Sequence, residues 1–169
     1  IDPPFCKICG SPLPLDPLDD ICSECQNNRD SHYERSRSAG VYEGTLKDCI
    51  HLLKYNGKVG LSSDLGRFMA DNFPSERGYI DADLIVPVPL HRARYRERGF
   101  NQAELLAREL GQKVGIKVRS DILQRIRNTR SQINLGAEER RSNVKGAFRV
   151  AKGREQEVDG ASILLVDDV

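Results

Sequence analysis

Apolar residues fall into two rhythms along this chain. Leu46, Cys49, Ile50 and Leu53 recur at the i, i+3, i+4, i+7 spacing of one helical face. They predict a helix from Leu46 to about Tyr55, broken at Asn56-Gly57, with Cys49 a small apolar residue on its buried side. A second helix is expected from about Ser63 to Phe73, capped by Ser62 or Ser63 and stopped by Pro74. A third starts at Asn101, with Glu104 three residues on as a capping pair, and its apolar face is Ala103, Leu106, Ala107, Leu110 and Val114. A short helical stretch is expected near Ala137 to Asn143.

The other rhythm is the short unbroken run. Asp83-Leu84-Ile85-Val86-Pro87-Val88-Pro89 reads as a buried strand with a proline-stiffened exit, and Ile163 to Val166 as a final strand. Arg37 to Tyr42, Ile122 to Ile126 and Phe148 to Val150 are further strand candidates. Strand, loop, helix, strand, without alternation in the apolar strands, predicts an α/β fold whose parallel sheet is covered on both faces. Ligands of such sheets sit beyond the carboxyl ends of the strands. Two strand ends here carry chemistry. One is followed by His91-Arg92-Ala93-Arg94-Tyr95-Arg96-Glu97-Arg98-Gly99, read as a basic loop, and the other by Asp167-Asp168.

The first 30 residues follow neither rhythm. Cys6-Lys7-Ile8-Cys9-Gly10 and Cys22-Ser23-Glu24-Cys25 are two CxxC units with 12 residues between them. Two thiolates three positions apart on a tight turn grip one side of a tetrahedral ion, and a second such turn completes a Cys₄ site. Prolines and aspartates between the pairs leave too little apolar content for a core, so metal binding has to supply the folding free energy. Two disulfides or four separate thiols are the other readings of the spacing. No secretion signal favours disulfides, and the paired CxxC units point to structural zinc on Cys6, Cys9, Cys22 and Cys25. Residues 27–35 are polar and read as a linker. The organisation expected is therefore a zinc ribbon over 1–30 and an α/β domain over 36–169.

Composition narrows the function classes. No apolar run approaches the roughly 20 residues that cross a bilayer, and no signal peptide opens the sequence, so cytoplasm is the expected address. Net charge is +1, yet His91 to Lys145 holds 14 Lys/Arg against 6 Asp/Glu, while the remainder holds 12 against 19. A basic segment in a near-neutral chain points to an anionic ligand, either a phosphate-bearing small molecule or nucleic acid, or else to a solvated helix face. Arginines in the 92–98 segment offer planar donors suited to phosphate oxygens. Carboxylates at a strand tip bind Mg²⁺, accept hydrogen bonds from sugar hydroxyls, act as acid and base, or simply cap the strand. Phosphates beside carboxylates imply a cation between them. The polar stretch from Arg125 to Lys145 has the length and composition of a lid or binding arm, or of a solvated hairpin.

In the order CxxCG…CxxC, VPVPLHRARYRERGFNQAELLA, RIRNTRSQINLGAEERRSNVKGAF, ILLVDDV, nearly the whole chain resembles the ComF family of competence-associated proteins. That family is similar to type I phosphoribosyltransferases. The resemblance implies a zinc ribbon followed by a Rossmann-like, five-stranded parallel core of the type I phosphoribosyltransferase kind. It further implies that Pro87, Val88, Pro89, Arg92, Arg98 and Gly99 match the pyrophosphate-loop region. Arg130 through Lys145 would match the flexible loop that closes on substrate. Asp167 and Asp168 would be the acidic pair that binds the ribose hydroxyls of phosphoribosyl pyrophosphate near Mg²⁺. A Thr-Thr-Gly turn follows that pair in the family pattern. Nothing follows Val169 here, so the 36–169 domain is expected to lack its C-terminal part.

Three functions are compatible with these residues. One is a Mg²⁺-dependent pentosyl transferase, in which a nitrogen nucleophile displaces pyrophosphate from ribose C1 and residues 36–58 help choose the base. Another is a non-catalytic factor that binds single-stranded DNA, with other competence proteins as partners. The last is a zinc-dependent adaptor, which leaves the arginines and the acidic pair without a role.

Overall fold

The computed structural model describes residues 4–15, 19–27, 33–73, 81–130, 132 and 135–169. Pro74 and most of the polar linker read at 27–35 lie outside the described residues. The chain divides into two compact units, Ile1–Leu46 and Lys47–Val169.

In the first unit the CxxC turns organise the backbone. Phe5 and Pro12 form an antiparallel bridge, and Cys6 donates its N–H to Ser11 O at 2.8 Å across the first turn. Gly10 takes φ 72°, and a Cβ there would lie 2.8 Å from Ser36 O, so glycine serves both the turn and the close approach. Helix α1 (Ser23–Asn27) carries Cys25. No strand forms at 37–42. The Arg37 guanidinium instead lies 4.8 Å from the Phe5 ring centroid and donates to Lys7 O at 3.2 Å, so this segment braces the first turn.

The second unit is mixed α/β. Helix α2 (Gly44–Asn56) contributes buried Ile50 and Leu53 to it, while Cys49 is only half-buried. Helix α3 (Leu61–Asp71) starts two residues before the expected Ser63, with Gly60 at the N-cap. The Ser62 hydroxyl is turned back to donate to Val59 O at 2.7 Å. Strand β1 (Leu84–Pro87) is followed by α4 (Arg92–Arg98) and α5 (Gln102–Val114). The segment read as a basic loop is thus a helix. His91 caps its start by accepting the Ala93 N–H on Nδ1 at 3.3 Å, and Gly99 ends it at φ 85°. Arginine is a good helix former, and caps at both ends supply what an apolar stripe does not.

Helix α5 buries Ala103, Leu106, Ala107 and Leu110, as its periodicity requires. Its expected capping pair does not form. Glu104 pairs with Arg108 at 2.7 Å, and the Asn101 side chain serves a loop instead. Strand β4 (Ile163–Val166) pairs in parallel with β1, Leu84 opposite Ile163 and Pro87 opposite Val166, and Val118 bridges Ile85 on the far side. The core lies where α5 crosses this ladder. Ile85, Leu106, Ala107, Leu110 and Val166 meet there, with Leu65, Met69, Ala70 and Phe73 packed against them. The sheet is not covered throughout on both faces, because Leu165 of β4 is 58% exposed.

A second ladder is antiparallel. Strand β2 (Leu123–Arg125) pairs with β3 (Phe148–Val150), and the described residues between them (126–130, 132 and 135–147) form an arm carrying α6 (Ala137–Val144). A short helix α7 (Glu155–Val158) precedes β4. Arg119, Asp121, Arg154 and Glu157 form an ion-pair network beside it, with Arg119 Nε 2.8 Å from Asp121 Oδ1. Among the described residues no helix is long and apolar enough to cross a membrane.

Candidate metal and ligand sites

The four paired cysteines converge. Their Sγ atoms all lie within 4.8 Å of one another, and Cys9 and Cys22 are 3.7 Å apart. A tetrahedron with Zn–S of about 2.3 Å needs sulfurs about 3.8 Å apart, so a small contraction of the cluster completes a closed Cys₄ site. Backbone amides already favour thiolate there, Cys22 N–H donating to Cys6 Sγ at 3.3 Å. Burial works against ionising Cys6, but hydrogen bonds from the Cys22, Cys9 and Ile8 amides outweigh it and bring the thiol down to about 6. Cys25 goes the other way. Desolvation and the sulfurs of Cys9, Cys22 and Cys6 push it up to about 12. Four thiolates this close repel one another, and a divalent cation is what lets all four ionise. The donor set therefore fits zinc, held by Cys6, Cys9, Cys22 and Cys25.

The second site lies at the carboxyl end of the β1–β4 ladder. Val88 N–H donates to Val166 O at 2.9 Å, carrying the pairing one residue past β1. Buried Asn101 donates from Nδ2 to Val88 O at 3.1 Å, so the start of α5 holds the Pro87-Val88-Pro89 exit in place. Its Oδ1 remains buried and unpartnered among the described residues. Arg98, in the last turn of α4, donates to Gln102 Oε1, and its guanidinium lies 5.7 Å from the Tyr55 ring centroid. Gly99 ends α4 and lets the chain turn into α5.

Asp167 and Asp168 stand at the tip of β4. Asp168 N–H donates to Asp167 Oδ1 at 2.9 Å. Lys54 of α2 places its Nζ 2.7 Å from Asp168 Oδ2, with the two side chains only 16% and 5% exposed. The contact is an ion pair of close charges rather than an aligned hydrogen bond. Asp167 is the exposed member. The protein around its carboxyl, and next the charge of Asp168, push it up to about 7 against the pull of Lys54.

Arg125 at the end of β2 joins this end of the molecule. Its guanidinium lies 5.3 Å from the Phe148 ring centroid, it donates to Thr129 Oγ1, and its Nε is buried without a partner among the described residues. Desolvation lowers its pKa first, Asp167 supports its charge, and Arg94 opposes it.

The arm is built differently. Asn143 Nδ2 donates to Arg130 O at 3.0 Å, Arg127 to Asn143 O at 2.7 Å, and Gly136 N–H to Glu139 Oε2 at 2.9 Å. No buried apolar contact anchors α6 among its described side chains. Arg92, Arg130 and Lys145 are exposed, and among the described residues no hydrogen bond or ion pair joins them to Asp167 or Asp168.

The expected groups thus separate. Pro87, Val88, Pro89, Arg98 and Gly99 lie along the fixed β1–α4–α5 passage, with the acidic pair at the neighbouring strand end. Arg92, Arg130 and Lys145 stand off in solvent. Sequence reading did not single out Lys54, Tyr55, Asn101, Gln102 or Arg125 as site residues. Lys54 had a signal, since it lies four residues after Ile50 on the apolar side of α2, where a charge needs a partner.

Comparison with known proteins gives a consistent answer. The chain is 32% identical to the DNA utilization protein YhgH of Salmonella typhimurium over 168 residues, 98% of this chain and 71% of that protein. It is 30% identical to competence protein F of Haemophilus influenzae over 169 residues, 98% of the chain and 72% of the relative. Competence protein ComFC of Bacillus subtilis is 30% identical over 112 residues, 61% of this chain and 43% of its own length. No protein-family model and no solved structure matches the chain.

Proposed function

This chain belongs to the ComF family, and from that premise we propose that it serves DNA utilization or competence through a ligand site of the type I phosphoribosyltransferase kind. The ligand proposed is phosphoribosyl pyrophosphate with Mg²⁺. The observation that carries this reading is the placement of Asp167-Asp168 beside the Pro87–Gly99 passage at one end of a parallel ladder.

The division of labour follows from the chemistry of each group. Asp167 and Asp168 accept hydrogen bonds from the ribose 2′- and 3′-hydroxyls. Arg98 and Arg92 of α4 and, from the arm, Arg130 and Lys145 pair with phosphate oxygens. Val88 and its flanking prolines form the floor, and Gly99 keeps the α4–α5 turn open to the ligand. Mg²⁺, when bound with the pyrophosphate, supplies charge neutralisation of the leaving group. In the transfer the C1–O bond to pyrophosphate breaks as a nitrogen nucleophile forms its bond to C1, and the pyrophosphate leaves with the electron pair. The nearby cations stabilise that developing charge. The ribbon over 1–30 holds structural zinc and takes no part in the chemistry, because a closed Cys₄ site has no open position. The domain over 36–169 is the transferase-like part, and the protein works in the cytoplasm.

Isothermal titration of the zinc-loaded chain with phosphoribosyl pyrophosphate and Mg²⁺ tests the reading. Saturable binding is expected, lost in the Asp167→Asn/Asp168→Asn variant. Binding that is absent, or unchanged in that variant, refutes it.

The exposed arginines and the relatives' names favour a second reading, a non-catalytic factor that binds single-stranded DNA alongside other competence proteins. Its affinity should fall steeply with salt and with Arg→Ala changes at Arg92, Arg94 and Arg96. Aromatic residues make up 6% of the chain, few for stacking platforms, which ranks this reading second.

A further inference from the structure

The acidic pair already has a cation. Lys54 Nζ lies 2.7 Å from Asp168 Oδ2, and both side chains are withdrawn from water, so the pair is not two free carboxylates awaiting a metal. A divalent ion needs the negative charge of its carboxylates, and an ammonium bound to one of them cancels much of that charge and occupies one of its oxygens. Arg125 lies close enough to Asp167 to interact with its charge and adds to the positive surroundings.

The helix that supplies Lys54 does more than neutralise. Its next residue, Tyr55, carries Arg98 over its ring, and Gly57 beyond it adopts φ 64°. The last turn of α2 therefore touches the acidic strand tip and the arginine helix at once.

We propose that Lys54 is the resident counter-ion of the acidic pair and a specificity-determining residue. It closes the pair to free divalent cations and leaves it to accept hydrogen bonds from a neutral, hydroxyl-bearing group. The hydroxyl half rests on the ribose reading above; the exclusion of free cations does not. A directly bound Mg²⁺ therefore does not fit this pair, and Mg²⁺ would enter only as a complex with the ligand's own phosphates.

Mn²⁺ alone is the probe, titrated by electron paramagnetic resonance into the zinc-loaded full chain. The parent and Lys54→Arg should show no site that depends on Asp168. Lys54→Gln should bind Mn²⁺ at least about tenfold more tightly, and Lys54→Gln/Asp168→Asn should lose the gain. Parent binding that Asp168→Asn abolishes, or an affinity unchanged in Lys54→Gln, overturns the proposal. Amine labelling of the parent read by mass spectrometry needs no variant to fold. Lys54 should react at least about tenfold more slowly than exposed Lys47 and Lys152, as expected for an ammonium held by a buried carboxylate. Equal rates also overturn the proposal. Failure of phosphoribosyl pyrophosphate to bind the parent would remove the ribose reading alone and leave the Mn²⁺ result standing.

Discussion

Gly111 sits on the core face of α5, where the helix passes the Val118 bridge, and replacing it by alanine sets two effects against each other. Helix propensity favours alanine by about 1 kcal/mol. Space opposes it, because the new Cβ would lie 2.4 Å from Val118 Cγ2 and 2.8 Å from Ile116 O. The valine methyl can rotate away. The carbonyl cannot move alone, because the following residues are tied to β1, Ile85 N–H donating to Lys117 O at 2.8 Å and Arg119 N–H to Ile85 O at 2.9 Å. Overpacking against a held backbone costs about 1–3 kcal/mol, and with both contacts under 3.0 Å the cost here falls in the upper part of that range, about 2–3 kcal/mol, above the propensity gain. Gly111→Ala should be destabilised by about 1–2 kcal/mol, a Tm lower by about 2–8 °C for a chain of this size. Gly60→Ala is the control, since its Cβ would meet nothing within 4 Å, and it should stay within about 0.5 kcal/mol of the parent. Circular-dichroism melts of the zinc-loaded chain decide the matter. A Gly111→Ala variant as stable as the parent, or more so, would show that the α5–Val118 approach is looser than described.

Two further outcomes are expected. Zinc uptake, followed with a chromogenic zinc indicator, should release protons and weaken as pH falls through about 6, where the Cys6 thiolate is lost, with Cys25 giving up its proton to the metal at every pH below about 12; a pH-independent affinity would contradict the thiolate site. Arg119 holds Asp121 down to about 2, so its stabilisation should be fully present above the ordinary aspartate range near 4 and disappear as pH falls through about 2. Melting curves of the parent and Arg119→Ala should accordingly differ at neutral pH and converge in strong acid, and a gap that persists there would rule out the ion pairs as its cause.

Legibility in the sequence followed from locality. The α5 face was readable because Leu106 and Leu110 repeat on the helical period, and β4 because Ile163 to Val166 is short, apolar and unbroken. The cysteine cluster was readable because its geometry is mostly set within each CxxC turn. Helix α4 was missed because four arginines carry no apolar period, and only His91 and Gly99 mark its ends. At 37–42 a β-prone Val41-Tyr42 has no partner strand, and propensity alone does not make one. Lys54 and Asp168 belong to elements far apart in the chain, and their pairing depends on how α2 is laid against the β4 tip. No local pattern encodes that.

Both polar backbone groups of Val88 are committed, the N–H to Val166 and the carbonyl to Asn101. A strand exit so engaged works as a bearing rather than a hinge. Any rearrangement has to pivot outside it, and the arm's hydrogen bonds from Arg127, Asn143 and Gly136 face water, where they are exchanged for solvent at little net cost. The molecule thereby separates a part that keeps its dimensions from a part that can follow what arrives.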